Sequence, residues 1–168
     1  MEKIILVNKD NKEVGMEEKI KAHKEGLLHR AFSIFVFNSK GELLLQQRSK
    51  SKYHSGGLWS NTVCSHPRVG ESYELAIHRR VIEEMGFDCE LKKVLEFIYR
   101  VDLENGLIEN EHDTIFVGEY NGRVAPNLEE VMNYKWISLS LLRKDIKKNP
   151  SNYSSWLGIV LNKNLLKI

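Results

Sequence analysis

The sequence predicts a β-sheet flanked by helices, of the α/β or α+β class, on three observations. Apolar runs of strand length, such as HRAFSIFVFN (29–38), alternate with segments of helical period, such as GESYELAIHRRVIEEMGF (70–87). The 168 residues suffice for one domain with a substantial core, and no repeat, low-complexity tract or Pro/Gly/Ser-rich linker divides them. Apolar residues make up 42% and charged residues 29%, which excludes a disordered or collagen-like chain. A formal net charge of +2 is too small to point to nucleic acid or an anionic membrane.

In chain order, KIILVN (3–8) reads as a short strand and NKDNKEVG (8–15) as a turn-rich connection. MEEKIKAHKEG (16–26) reads as a helix stopped near Gly26, with His23 in its last turn. HRAFSIFVFN is a buried strand, paired with ELLLQQR (42–48) across the turn SKG (39–41). The helix 70–87 has Glu71 and Ser72 near its start and Gly86 just past its end. ELKKVLEFIYRVDL (90–103) and LIENEHDTIFVGEY (107–120) are two strands of a hairpin closed by ENG (104–106). NYKWISL (133–139) is a further strand, SLSLLRKDIKKNP (138–150) a helix ended by Pro150, and SNYSSWLGIVLNKNLLKI (151–168) a closing amphipathic helix.

Two cysteines, Cys64 and Cys89, with no CxxC pair, match the usage of a reducing compartment. The apolar run Ile4 to Val7 is too short for a membrane span and lacks a signal-peptide pattern, so a cytoplasmic, soluble protein is expected.

Chemistry-bearing residues concentrate in three places. On helix 70–87, Arg80 and Glu84 are four apart and share a face, with Glu83 beside them; on spacing alone this is a solvated face with an ion pair. In IENEHD, Glu109 and Glu111 are two apart in a strand, so both carboxylates point to one side. Two carboxylates this close repel unless a cation or proton lies between them, although an exposed strand face also carries such pairs. His23, His29 and His66 are each compatible with an ordinary satisfied histidine. Together with Glu109 and Glu111 they offer three imidazoles and two carboxylates, an octahedral N/O set suited to Mn²⁺, Mg²⁺, Fe²⁺ or Zn²⁺.

Helix 70–87 resembles the Nudix motif: Gly, five residues, Glu, seven residues, Arg-Glu, apolar, any, Glu-Glu, any, Gly, apolar. Laid over Ser65 to Phe87, it is matched at Glu71, Arg79, Val81, Glu83, Glu84, Gly86 and Phe87. It departs at Ser65, where the motif has Gly, and at Arg80, where it has Glu. A cation at Arg80 weakens metal binding there and favours direct contact with phosphate oxygens, which disfavours diphosphate hydrolysis.

Over nearly its full length the chain resembles the type I isopentenyl-diphosphate Δ-isomerases. The resemblance rests on AHKEGLLHRAFSIFVFN, LLLQQRSKSKYHSGGLWSNTVCSHPRVGES, RRVIEEMGF, IYRV, ENEHD and EVMNYKW. It implies a single Nudix-like domain over residues 1–168, a mixed β-sheet flanked by helices. The implied reaction moves the double bond of isopentenyl diphosphate to give dimethylallyl diphosphate. An alkene is a very weak base, so its protonation must build a tertiary carbocation between an acid on one face and a base on the other, with water kept out. By resemblance Glu111, beside Tyr99, is the acid and Cys64, as thiolate, the base, while Trp156 lies over the cation; as plain sequence Cys64 is also compatible with an inert buried thiol and Trp156 with a core residue.

Resemblance further gives Lys19, Arg48, Lys52 and Arg80 as diphosphate contacts and Glu84 as the holder of a Mg²⁺ that arrives with the diphosphate. His23, His29, His66, Glu109 and Glu111 are the implied ligands of one further divalent ion, Mn²⁺, Mg²⁺ or Zn²⁺. The implied partner is a small diphosphate, with no nucleic acid or membrane, and the implied state is a monomer or weak homo-oligomer. Two rival readings are a Nudix hydrolase acting on a nucleoside diphosphate derivative and a non-catalytic module in which Cys64 and the histidines bind structural zinc.

Overall fold

In the computed structural model, which describes residues 2–163, the strand read as most apolar is the spine of the sheet. Strand β3 (His29–Phe37) is buried along almost its whole length because both faces are covered. Alternate side chains enter two different apolar layers. Phe32, Ile34 and Val36 pack with Ala76, Ile77, Val81 and Met85 of helix α2 (Tyr73–Met85). Phe35 and Phe37 pack instead with Leu142 and Ile146 of α3 (Leu139–Lys148) and Leu157, Val160 and Leu161 of α4 (Ser155–Asn162). Burying each such side chain is worth about 1.5–3 kcal/mol, so the two-sided sandwich over β3 is the main source of cohesion.

The remaining strands are β1 (Lys3–Val7), β2 (Glu13–Glu18), β4 (Glu42–Arg48), β5 (Trp59–Ser60), β6 (Val63–Ser65), β7 (Leu91–Asp102), β8 (Ile108–Glu119) and β9 (Val131–Ser138). Strand β8 runs parallel to β3, from His29 opposite Glu111 to Phe37 opposite Glu119, and pairs on its other side with antiparallel β7. The hairpin closed by 104–106 is therefore present, with Asn105 (φ 63°) and Gly106 (φ 70°) left-handed in the turn. Helix α2 begins at the Ser72 cap, whose Oγ accepts from the Leu75 N–H, and stops at Gly86.

Three expectations need correction. Residues 13–18 form strand β2, paired with β1, so the first helix is only α1 (Lys19–Glu25), which Gly26 (φ 61°) ends. The acidic run read as a helix start is drawn into the sheet because Asn8 closes a tight turn, its Oδ1 accepting from the N–H groups of Asp10 and Lys12. Second, β4 meets β3 only at Phe37–Leu43 and otherwise pairs with β9 and, at Gln46 and Gln47, with β5. The two strands splay because residues 61–65 are wedged between them: Thr62 Oγ1 accepts from Val36 N (2.9 Å) and donates to Leu44 O (2.7 Å). Asn61 Nδ2 bonds Ile34 O, and Cys64 falls opposite Ser33 in the β3–β6 pair. Third, the closing helix begins only at Ser155, after Pro150 opens a 3-10 turn and Tyr153 bridges to Trp59; its expected end, 164–168, lies outside the described residues.

Among the described residues no helix is long and apolar enough to cross a membrane. Gly86 (φ 72°) caps α2 where the chain returns across it, and a Cβ there would lie 2.1 Å from Ala125 O. Gly86→Ala is accordingly expected to lower unfolding free energy by roughly 2 kcal/mol or more in urea titration, since left-handed strain adds to a backbone clash.

Candidate active site

Five of the residues singled out by the sequence arrive from four places in the chain and face one another. The last turn of α1 supplies His23, the start of β3 His29, the segment after β6 His66, and β8 both Glu109 and Glu111. His23 Nε2 lies 3.3 Å from Glu109 Oε2; His29 Nε2 lies 4.0 Å from that oxygen and 3.5 Å from Glu111 Oε1; His66 Nε2 lies 3.1 Å from Glu111 Oε1. The Nδ1 atoms of His23 and His29 face the carbonyls of Lys19 (2.7 Å) and Leu27 (2.8 Å). A carbonyl only accepts, so Nδ1 carries a proton and Nε2 is the ring nitrogen turned inward.

All five residues are buried, and His29 Nε2 and Glu109 Oε2 have no hydrogen-bond partner. Unpaired acceptors aimed at one another inside a protein are strongly unfavourable unless positive charge lies between them. The ligating atoms of His23, His29, His66 and Glu111 lie within 4.8 Å of one another, and an N/O donor set of this kind fits a divalent cation. Charge distribution agrees. Burial pushes the His66 imidazole down to about 4. Burial and Glu109 work against ionisation of Glu111, yet the neighbouring imidazoles of His29 and His66 hold its carboxyl below the usual range.

A cavity opens beside this cluster. Cys64, Tyr99, Trp156 and Glu111 form its wall, and Lys19, Arg48, Lys52 and Arg80 also line it. Tyr99 is the direct cross-strand neighbour of Glu111, and its hydroxyl donates to Glu111 Oε2 at 2.6 Å. Trp156 Nε1 donates to Ser60 Oγ (2.9 Å), as does the Ser154 hydroxyl (3.0 Å), so the single Ser60 proton goes to Asn61 Oδ1 (3.1 Å). The Asn61 amide N–H groups are taken by Ile34 O and Val63 O, and its Oδ1 also receives the Cys64 S–H at 2.9 Å.

In this arrangement Cys64 donates to Asn61 as a thiol. Burial pushes that thiol up to about 12, with Asp113 and Glu111 adding to the rise and Ser33 opposing it. Burial and the bond to Asn61 favour the thiol form of Cys64, where the resemblance implies the thiolate.

The cations differ in their freedom. Arg80 is half-buried and pairs with Glu83 (2.7 Å), Glu84 and Glu130 (3.4 Å), and Lys52 also pairs with Glu130. Arg48 lies 5.3 Å from the Trp156 ring centre. The Nε atoms of Arg48 and Arg80 have no acceptor, which leaves donors for an anion in the cavity. Burial pushes the Lys52 ammonium down to about 8; Glu84 opposes the shift, and Arg48, Arg80 and Lys19 reinforce it. Glu84 belongs to neither group of converging metal-type ligands among the described residues, being bonded to Arg80 and to Gln46 Nε2 (2.7 Å). The remaining motif carboxylates are likewise engaged, Glu71 by both Arg79 Nε and Nη2 (2.7 Å each) and Glu83 by Arg79 and Arg80.

Sequence reasoning overlooked three polar residues at the site. Asp113 continues the alternation 109, 111, 113 along β8 and so was legible in principle. It is buried, accepts from Ser33 Oγ at 2.8 Å, and is raised well above the carboxylate range by burial and Glu111. Asn61 lies beside the cysteine in the quoted segment but has no local signal. His54 lies on a connection, with Nε2 3.0 Å from Glu109 Oε1.

The fold and this helix–sheet site define a NUDIX protein: residues 27–157 match the NUDIX domain. The structure superposes on a crystal structure of DR0079 from Deinococcus radiodurans with a TM-score of 0.80, at 18% identity, covering 96% of this chain and 98% of that one. Within that class, the chain is 52% identical over 159 residues to isopentenyl-diphosphate Delta-isomerase 2 of Photorhabdus laumondii, covering 95% of this chain and 90% of the relative. It is 51% identical over 162 residues to isopentenyl-diphosphate Delta-isomerase of Burkholderia multivorans, covering 96% and 92%. The chain belongs to the isopentenyl-diphosphate Delta-isomerase family.

Two outcomes follow from the charge states. At a pH of about 9.5, where an ordinary thiol with pKa about 8.5 is ~90% ionised, the difference between this protein and its Cys64→Ala variant should show no thiolate absorbance near 240 nm. Inorganic diphosphate should bind more tightly to the protein than to Lys52→Gln below pH about 8, where the ammonium is protonated, and the advantage should shrink as the pH rises beyond that value in calorimetric titrations.

Proposed function

We propose that the cavity isomerises isopentenyl diphosphate and dimethylallyl diphosphate by proton addition to the alkene and proton removal from the opposite face. The observation that carries this reading is the placement of Cys64 and Glu111. They come from β6 and β8, strands on different sides of β3, and both line one cavity whose other side chains include four cations. A hydrolase needs carboxylates free to gather metal on the diphosphate, whereas here Arg80 occupies Glu83 and Glu84.

The diphosphate is gripped by Lys19, Arg48, Lys52 and Arg80, with the free guanidinium N–H groups of Arg48 and Arg80 as fixed donors. Glu84 is the carboxylate placed to share a Mg²⁺ brought in with the substrate, once Arg80 turns its guanidinium toward phosphate. His23, His29, His66, Glu109 and Glu111 hold a second divalent ion, Mn²⁺, Mg²⁺ or Zn²⁺, which when bound supplies the charge that keeps Glu111 ionised and fixed. The two reacting groups share one proton. With Cys64 as thiol and Glu111 as carboxylate, the thiol gives its proton to the alkene and Glu111 removes the one on the other face. This order is the reverse of the sequence-based assignment, which describes the starting state for the opposite direction of the same equilibrium. Tyr99 steadies the Glu111 oxygen that exchanges the proton, and the Trp156 face stabilises the tertiary cation by about 2 kcal/mol when water is excluded. The reaction is assigned to the cytoplasm and needs neither nucleic acid nor membrane.

Proton NMR of isopentenyl diphosphate incubated with the protein, Mg²⁺ and Mn²⁺ in D₂O should show the dimethylallyl product with deuterium incorporated. Unchanged substrate with folded, metal-loaded protein would reject the isomerase, and release of phosphate would favour a hydrolase. Cys64→Ala and Glu111→Gln should each cut turnover by about 10³-fold or more with circular dichroism unchanged, because each removes a proton-transfer partner; near-normal turnover in either removes that residue from the mechanism.

A further inference from the structure

Residues 49–58 join β4 to β5 without helix or strand, yet His54 within them is only 4% exposed. We propose that His54 is a positioning residue for the metal site: its Nε2–H binds one oxygen of Glu109 and thereby presents the other oxygen to the cation. The inference rests on the metal-dependent reading above and adds a residue to it.

Glu109 Oε1 lies 3.0 Å from His54 Nε2, while Oε2, which has no hydrogen-bond partner, points at His23 Nε2 (3.3 Å) and His29 Nε2 (4.0 Å). One carboxylate thus has two faces with different tasks. Proximity alone would also allow His54 to be a ligand, since His23, His54 and Glu109 offer closely grouped donor atoms. Hydrogen bonding and grouping together separate the two roles. His23 and His29 direct Nδ1–H at backbone carbonyls and turn Nε2 toward the cluster. His54 has its Nδ1 3.3 Å from the Ser55 hydroxyl, which can donate, and its Nε2 against a carboxylate oxygen, which cannot. A proton on Nε2 makes His54 a donor to Glu109, and His54 is absent from the group in which the donor atoms of His23, His29, His66 and Glu111 converge.

The surroundings are built to hold this ring. Its neighbours are Tyr53 (centroids 4.2 Å apart, 82°) and Trp156 (5.7 Å, 88°), both nearly edge-on. The His54 carbonyl accepts from Arg48 Nη2 at 3.1 Å. The next residue, Ser55, takes a left-handed backbone (φ 51°), and its N–H donates to the Glu104 carboxylate in the β7–β8 turn. Gly56 is required because a Cβ would lie 2.9 Å from Lys50 O. The stretch HSGG therefore folds to bring one imidazole against Glu109 and the aromatic wall together.

The test measures Mn²⁺ affinity by electron paramagnetic resonance in the full chain, its His54→Ala variant and its His54→Gln variant, with thermal melts to establish folding. His54→Ala should weaken Mn²⁺ binding by about 10–100-fold, the usual effect of removing a partner of a ligating carboxylate. His54→Gln, whose amide N–H can reach the same oxygen, should recover most of the loss. Pulsed measurement should find the same number of nitrogen couplings to Mn²⁺ with and without His54. Unchanged affinity in folded His54→Ala, no recovery in His54→Gln, or loss of one nitrogen coupling would overturn the proposal. Because the readout is metal binding, a protein that binds Mn²⁺ with this pattern but does not isomerise the substrate rejects only the isomerase. Failure of the unaltered protein to bind Mn²⁺ through nitrogen rejects the metal-dependent reading together with the role of His54.

Discussion

Two carboxylates placed side by side on a buried strand face set the terms for everything around them. Glu109 and Glu111 are 3% and 8% exposed, so neither can shed its charge into solvent. Their mutual repulsion in a poorly polarisable interior is tolerable only with positive charge or protons between them. Imidazoles brought from α1, β3 and the segment after β6 answer that demand, which is why a seven-residue helix and a loop histidine are packed against β8 at all. A buried polar cluster of this type is costly when half satisfied and rigidifying when complete. Its completion by a cation would tie α1, β3 and β8 together at the point where Tyr99 and Glu111 face the cavity.

The second organising feature is the gap between β3 and β4. A plain hairpin would have run the two strands side by side. Instead Thr62 bridges them with its own hydroxyl, and the short segment around it carries Asn61 and Cys64 into the opening. The hydrogen bonds of Ser60 and Asn61 then couple Cys64 to Trp156, two side chains 92 residues apart in the sequence. Thiol orientation and indole orientation are consequently parts of one bonded chain, and a proton donor and a cation-stabilising face can keep their mutual geometry without relying on substrate to create it.

Arg80 shows how one substitution within a shared helix redirects chemistry. The NUDIX helix normally concentrates carboxylates; here the guanidinium at Arg80 bonds Glu83 and Glu84 and leaves its Nε without an acceptor. Free acidic oxygens draw metal onto a diphosphate and activate its cleavage, whereas a guanidinium grips the phosphate oxygens and leaves the bond alone. The same backbone can therefore serve hydrolysis or retention of the diphosphate, with the cation deciding which.

The local patterns were legible because they depend on neighbouring residues. Apolar runs of strand length, the ENG turn and helical apolar spacing marked β3, the β7–β8 hairpin and α2, and Ser72 and Gly86 bracketed that helix through capping chemistry that acts within a few residues. The two-residue spacing of Glu109 and Glu111 likewise determined that both carboxylates share a side of β8. Tertiary structure decided the rest. Residues 13–18 have acidic, helix-compatible composition, but pairing with β1 makes them a strand, because a ladder of backbone bonds outweighs a weak propensity. The partner of β4 depended on the wedge at Thr62, and the protonation of Cys64 depended on Asn61 and on burial, neither of which sequence distance encodes. His54 was invisible for the same reason. Its role exists only because a glycine-shaped loop after β4 closes over an oxygen on β8, 55 positions away.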